Sequence, residues 1–161
     1  MTQPPRPNIE TKEGQAQLRQ LGVTPLPQPD DLTAPYWDAA RKHELHIQRC
    51  ANCAEYQHPP FAYCRHCNSG DLDWTRISGR GHIYSFIIDH RLMVPGFTEP
   101  YVVAQVNPIE SPSDLVRITT NIRDCALEDV YIGMPVEVLF EDVRSDTTLP
   151  QFKPLREYGS S

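Results

Sequence analysis

The chain has no apolar run long enough to cross a bilayer. Its opening residues, Met1-Thr2-Gln3-Pro4-Pro5, lack the apolar core of a signal peptide. Positive charge is scarce: 15 Lys and Arg stand against 21 Asp and Glu, a formal net charge of −6. General binding of nucleic acid needs cations to neutralise phosphates, so this balance works against it. Glycine is sparse as well, 8 residues against 16 prolines, which argues against long helices and for short strands, loops and extended tails. Familiar catalytic signatures are missing too, with no G-x-S-x-G, H-E-x-x-H or P-loop. Gly79-Arg80-Gly81 lacks the third glycine of a dinucleotide fingerprint and precedes a strand rather than a helix. These absences set the expectation of a cytoplasmic chain with no membrane association.

What is present is concentrated. Four of the five cysteines fall in two C-x-x-C pairs, Cys50/Cys53 and Cys64/Cys67. In a reducing compartment such pairs bind metal rather than form disulfides. Each pair turns two sulfurs onto one ion, and two pairs complete a tetrahedral thiolate cage. Zn²⁺ is the favoured occupant, although rubredoxin-type iron uses the same ligands. A closed four-thiolate shell leaves no open position, so its role is structural. Cys125, the odd cysteine, reads as a small packing residue rather than a nucleophile.

Around the cage, residues 1–31 read as a flexible Pro-rich arm, with a weak helix possible over 10–20. Residues 32–46 read as a helix with Thr33 as N-cap, Pro35 in the first turn and a Tyr36/Trp37/Ala40 stripe facing the core. The zinc ribbon occupies 47–73, entered by a strand over 45–49 and left by one over 72–77. From residue 74 to 155 the texture is β. Strands are expected at 81–88, 101–106, 115–122 and 134–140, with a short fifth at 152–155. Asn107-Pro108 ends the second of these, and 125–130 suits one helical turn. Gly79 and Gly81 signal a bend, and 156–161 is a tail. The expected class is mainly β: a short helical segment, a zinc ribbon, then a small antiparallel barrel of OB type.

This order of motifs resembles the DUF35 family, a rubredoxin-like zinc ribbon followed by an OB-fold. The resemblance rests on Leu45-x-Ile47-Gln48-Arg49-Cys50-x-x-Cys53, on Pro59-Pro60 before Cys64-x-x-Cys67, and on Gly79-Arg80-Gly81-x-Ile83-Tyr84-Ser85-Phe86. Pro100 to Ala104, Ile132 to Val138 and Pro150-x-Phe152-x-Pro154 continue it. It implies a non-catalytic accessory subunit in an acyl-CoA-processing complex, whose thiolase-like or lipid-transfer-like partner supplies the catalytic residues. The reaction would be retro-aldol cleavage, thiolysis or acyl transfer, in lipid or steroid metabolism. The chain departs from the family pattern in three places. Ala54 follows the first knuckle where Gly is usual, and Arg65-His66 fills the second where Pro is common. Ile109 to Asp114 replaces an acidic-Gly turn.

No constellation of acid, base and nucleophile is legible, so no catalytic residue is assigned. Asp89 and His90, as strand neighbours, point to opposite faces and form no relay. Arg80, Arg91 and Arg117 are the candidates for acyl-CoA phosphates, with Arg76 and Arg123 behind them. The apolar stretch Arg91 to Phe97 would line an acyl pocket or meet a partner. The alternative reading is a single-stranded nucleic-acid module that stacks bases on Tyr84, Phe86 and Tyr101.

Overall fold

The computed structural model describes residues 26–91, 97, 99–111 and 116–155. The arm over 1–25, the helix considered within 10–20, residues 92–96 of the apolar loop and the tail lie outside the described residues. The chain divides into two bodies, Pro29–Ile87 with Val102–Ser161 and Met1–Gln28 with Ile88–Tyr101. The first holds the ribbon and most of the barrel.

Helix α1 spans Ala34–Ala40, shorter than the 32–46 segment assigned to it. Thr33 holds the N-cap position, but its side chain makes no capping bond to the helix. Asp30 supplies the cap instead. Its Oδ1 accepts from the Thr33 amide at 2.8 Å, and the Thr33 hydroxyl accepts from the Asp30 amide at 3.0 Å. At the other end His43 adopts φ 57°, and the amide of Glu44 returns to the carbonyl of Ala39. The helix buries Tyr36, Ala39 and Ala40. Tyr36 meets Trp37 edge-on at 5.0 Å and lies 5.2 Å from the His58 ring.

Strands β1 (Leu45–Cys50), β2 (Tyr56–Gln57) and β3 (Leu72–Ile77) form an antiparallel sheet in the order β2-β1-β3. The β1 pattern buries Leu45, Ile47, Gln48 and Cys50. The barrel follows as β4 (Arg80–Asp89), β5 (Tyr101–Pro108), β6 (Ile118–Ile122), β7 (Pro135–Arg144) and β8 (Thr147–Pro154). A 3₁₀ turn, Leu127–Asp129, stands where one helical turn was expected. Ile83, Val102, Val106, Ile118, Val136 and Phe152 are sealed in the core. Truncating a buried Phe to Ala typically costs about 3–5 kcal/mol, so Phe152 alone contributes a large fraction of the stability of such a domain.

The barrel closes in the order β4-β5-β6-β8-β7. It is not wholly antiparallel, since β6 and β8 run parallel through Ile122↔Phe152. Five strands cannot alternate in direction around a closed ring, so one parallel neighbour is unavoidable. Four barrel strands outrun their expected bounds, β4 by one residue at each end. β5 continues through Pro108, which is buried. β7 and β8 extend to a two-residue turn because they pair from Val136↔Pro154 to Arg144↔Thr147. The two glycines do different jobs. Gly79 takes φ 77°, whereas a Cβ on Gly81 would stand 2.4 Å from the Asn107 carbonyl oxygen.

Candidate metal centre and barrel face

Each knuckle is a tight backbone loop of the same design. The Ala54 amide returns to the Cys50 carbonyl at 2.9 Å, and the Cys50 amide donates to the Glu55 carbonyl. In the second, the Asn68 amide returns to the Cys64 carbonyl at 2.9 Å, and the Cys64 amide donates to the Ser69 carbonyl. The fourth residue after the leading cysteine is left-handed in both, Ala54 at φ 62° and Asn68 at φ 60°. These loops bring all four sulfurs within 4.8 Å of one another. Cys50 to Cys67 and Cys53 to Cys64 are each 3.6 Å. A tetrahedral ion with Zn–S bonds of about 2.3 Å separates its sulfurs by about 3.8 Å, so the cage fits zinc.

The surroundings favour the thiolate at Cys67, while burial and the neighbouring cysteines raise Cys53. Asn52 Nδ2 donates to Cys67 Sγ at 3.5 Å, and this bond, helped by the Ser69 amide, lowers the Cys67 thiol to about 6. Cys50 and Cys64 are buried, while Cys53 and Cys67 are half-exposed. Burial, with help from Asp129 and Glu128, pushes the Cys125 thiol up, which disfavours a nucleophilic thiolate there.

Behind the second knuckle lies a cleft of about 180 Å³, lined by Glu55 to His58 and Cys64 to His66. Burial lowers His58 to about 4, so its imidazole is neutral across the physiological range. Sequence reasoning missed the buried pair Gln48 and Gln57 beneath this knuckle. In the sequence Gln48 shows only as part of a strand and of the family motif, and Gln57 only as part of the segment between the knuckles.

The candidate arginines separate into groups. Arg76 is taken by Glu44 at 3.0 Å and Arg123 by Glu141 at 3.1 Å. Arg80 is exposed at the start of β4, and its amide donates to Ser78. Arg91 is exposed, and its amide donates to Asp89. Arg117 lies half-buried with its guanidinium 3.6 Å from the Tyr84 ring centre. Among the described residues no carboxylate is within ion-pair distance of it.

The aromatic residues considered for base stacking are partly engaged. Tyr84 carries Arg117, and Tyr101 stacks on Phe97 with ring centres 3.8 Å apart. The Tyr101 hydroxyl donates to Asp89 at 3.0 Å, and burial and Asp89 raise its pKa. Asp89 therefore serves Tyr101 and the Arg91 amide. At the hairpin tip, Asp142 receives the Thr148 hydroxyl at 2.7 Å and faces His43 Nε2 at 3.0 Å. The His43 ring lies parallel to Phe140 at 5.3 Å. Among the described residues no helix is long and apolar enough to cross a membrane.

Comparison with known proteins agrees with this architecture. Residues 37–73 match the family described as ChsH2, rubredoxin-like zinc ribbon domain, and residues 74–141 match ChsH2, C-terminal OB-fold domain. The chain is 36% identical over 143 residues to a probable enoyl-CoA hydratase alpha subunit of Thermomonospora curvata, covering 89% of this chain and 44% of that one. It is 37% identical over 110 residues to the 3-oxo-4,17-pregnadiene-20-carboxyl-CoA hydratase alpha subunit of Mycobacterium tuberculosis, covering 68% of this chain and 34% of that one. The chain thus spans less than half the length of these two relatives. Among solved structures, a chain of an Ltp2-ChsH2(DUF35) aldolase superposes with a TM-score of 0.71 at 38% identity. That match covers 80% of this chain and 98% of the other.

Proposed function

We propose, from the premise that this chain belongs to the DUF35 family in its ChsH2 form, that it is the non-catalytic subunit of an acyl-CoA-processing complex. Its partner is a thiolase-like enzyme that supplies the acid, base or nucleophile. The observation that carries the reading is the near-complete overlap with the DUF35 chain of the aldolase, at 98% of its length. We place aldol cleavage of a steroid-type acyl-CoA ahead of hydration on the 38% identity and TM-score of 0.71 of that match. The closed thiolate cage supports a structural role for zinc, with function on the barrel.

Within the complex we assign Arg117 to a CoA phosphate. Its guanidinium is pre-ordered on Tyr84 and free of carboxylate partners among the described residues. Arg80 and Arg91 remain separate candidates for the same chemistry. The test is co-expression with a thiolase-like enzyme encoded nearby. The reading requires the two to co-elute on size exclusion and acyl-CoA cleavage to depend on both. Separate elution, with the enzyme fully active alone, overturns it.

A further inference from the structure

Gln48 and Gln57 are register partners across β1 and β2, and both are buried. Gln48 Oε1 accepts from the Phe61 amide at 2.9 Å, and its Nε2 donates to the Phe61 carbonyl at 3.1 Å. Gln57 Oε1 accepts from the Arg65 amide at 3.0 Å, and its Nε2 donates to the Tyr63 carbonyl at 3.3 Å. A backbone amide only donates and a carbonyl only accepts, so each side-chain amide has one allowed orientation. In those orientations the two meet donor to acceptor, Gln57 Nε2 to Gln48 Oε1 at 2.7 Å.

The placement of this pair gives it a role. Cys50 ends β1. Cys64 lies between Tyr63 and Arg65, the two residues Gln57 grips. The amide pair therefore bridges the strand that carries the first knuckle and the backbone that carries the second. We propose that Gln48 and Gln57 are positioning residues for the metal centre, holding Cys64 and Cys67 at ligand distance from Cys50 and Cys53 before an ion arrives. Metal capture then closes a preformed cage rather than folding a loose loop. The inference rests on the four cysteines being a metal site.

The test uses the full chain, stripped of metal and titrated with Co²⁺, with Zn²⁺ affinity read by chelator competition. Gln48→Glu keeps both acceptor contacts, loses the one donation to Phe61 and turns oxygen against oxygen at that single carbonyl. Gln57→Glu keeps one acceptor contact, loses two donations and turns oxygen against oxygen at Tyr63 and Gln48. Both variants introduce one carboxylate at matched volume, so their contrast reads donor direction. Zinc affinity is expected to fall about 10- to 100-fold in Gln57→Glu, and at least about threefold less in Gln48→Glu. The visible bands of tetrahedral cobalt thiolate should persist in both at saturation. If Gln57→Glu does not fold, Gln57→Met, which lacks every bond to the loop, should show the same 10- to 100-fold loss. Wild-type affinity in the Gln57 variants, or equal losses in Gln48→Glu and Gln57→Glu, overturns the proposal. A wild-type chain that binds neither Co²⁺ nor Zn²⁺ overturns the metal reading itself.

Discussion

Ala54 turns the first knuckle at φ 62°, a conformation that costs a residue with a Cβ about 1–2 kcal/mol. Asn68 turns the second at φ 60°, and its short polar side chain tolerates that region better. The glycine usual at position 54 in the family therefore has a physical reason, and this chain does without it. Ala54→Gly should stabilise the folded chain by up to about 1 kcal/mol, visible as a raised Tm. At the barrel, Arg117→Ala should weaken CoA binding by the assembled complex about tenfold and leave pantetheine binding unchanged, as titration calorimetry would show. The four cysteines were legible because metal ligands recur at fixed spacing. Gln48 and Gln57 were not, because alternation says nothing about polar partners. Residues 61 to 65 supply those partners only after the chain folds back.

At the scale of elements, the hairpin β7–β8 shows where pattern reading fails. Its outer half, Glu141 to Arg144 and Thr147 to Pro150, is charged, polar or interrupted by proline, so the apolar signal fades while the pairing continues. The tip is tied to the residues after α1 through Asp142 and His43. The Thr148 hydroxyl, then His43, hold Asp142 below its ordinary value of 3.8. A carboxylate depressed on folding contributes stability above its unfolded value, and that contribution is lost as pH falls through the lowered one. An NMR titration should find Asp142 below the usual carboxylate range, and Thr148→Val should move it back up. An unchanged midpoint in the variant would refute the assignment. Helix α1 was legible as an element and Thr33 does stand at its N-cap position, but the reciprocal bonding of Thr33 with Asp30 was not legible, because it lies outside the apolar stripe.

Over the whole molecule, the succession of helix, ribbon and barrel could be read in the sequence, because knuckle spacing and strand alternation are local signals. The parallel seam between β6 and β8 could not, since it follows from closing five strands and not from either strand's composition. Removing the metal tests how far the ribbon depends on it. Chelation should lower the Tm by at least about 10 °C, because ion binding adds directly to folding free energy. With the amide clamp intact, the metal-free chain should stay folded at room temperature and take zinc back. Calorimetry of the stripped and reloaded chain checks both outcomes.

The closing strands also fix an order of assembly. β7 meets β8 across two residues, Ser145 and Asp146, but its other partner, β4, lies more than fifty residues upstream, as in Arg80↔Glu137. Local pairs form early and distant ones wait for the chain between them to be ordered. During synthesis, β4 to β6 emerge before either strand that will seal them. Until then their edges stand open, and the apolar faces of Ile83, Val102 and Val106 are exposed to whatever chaperone or neighbouring chain reaches them first.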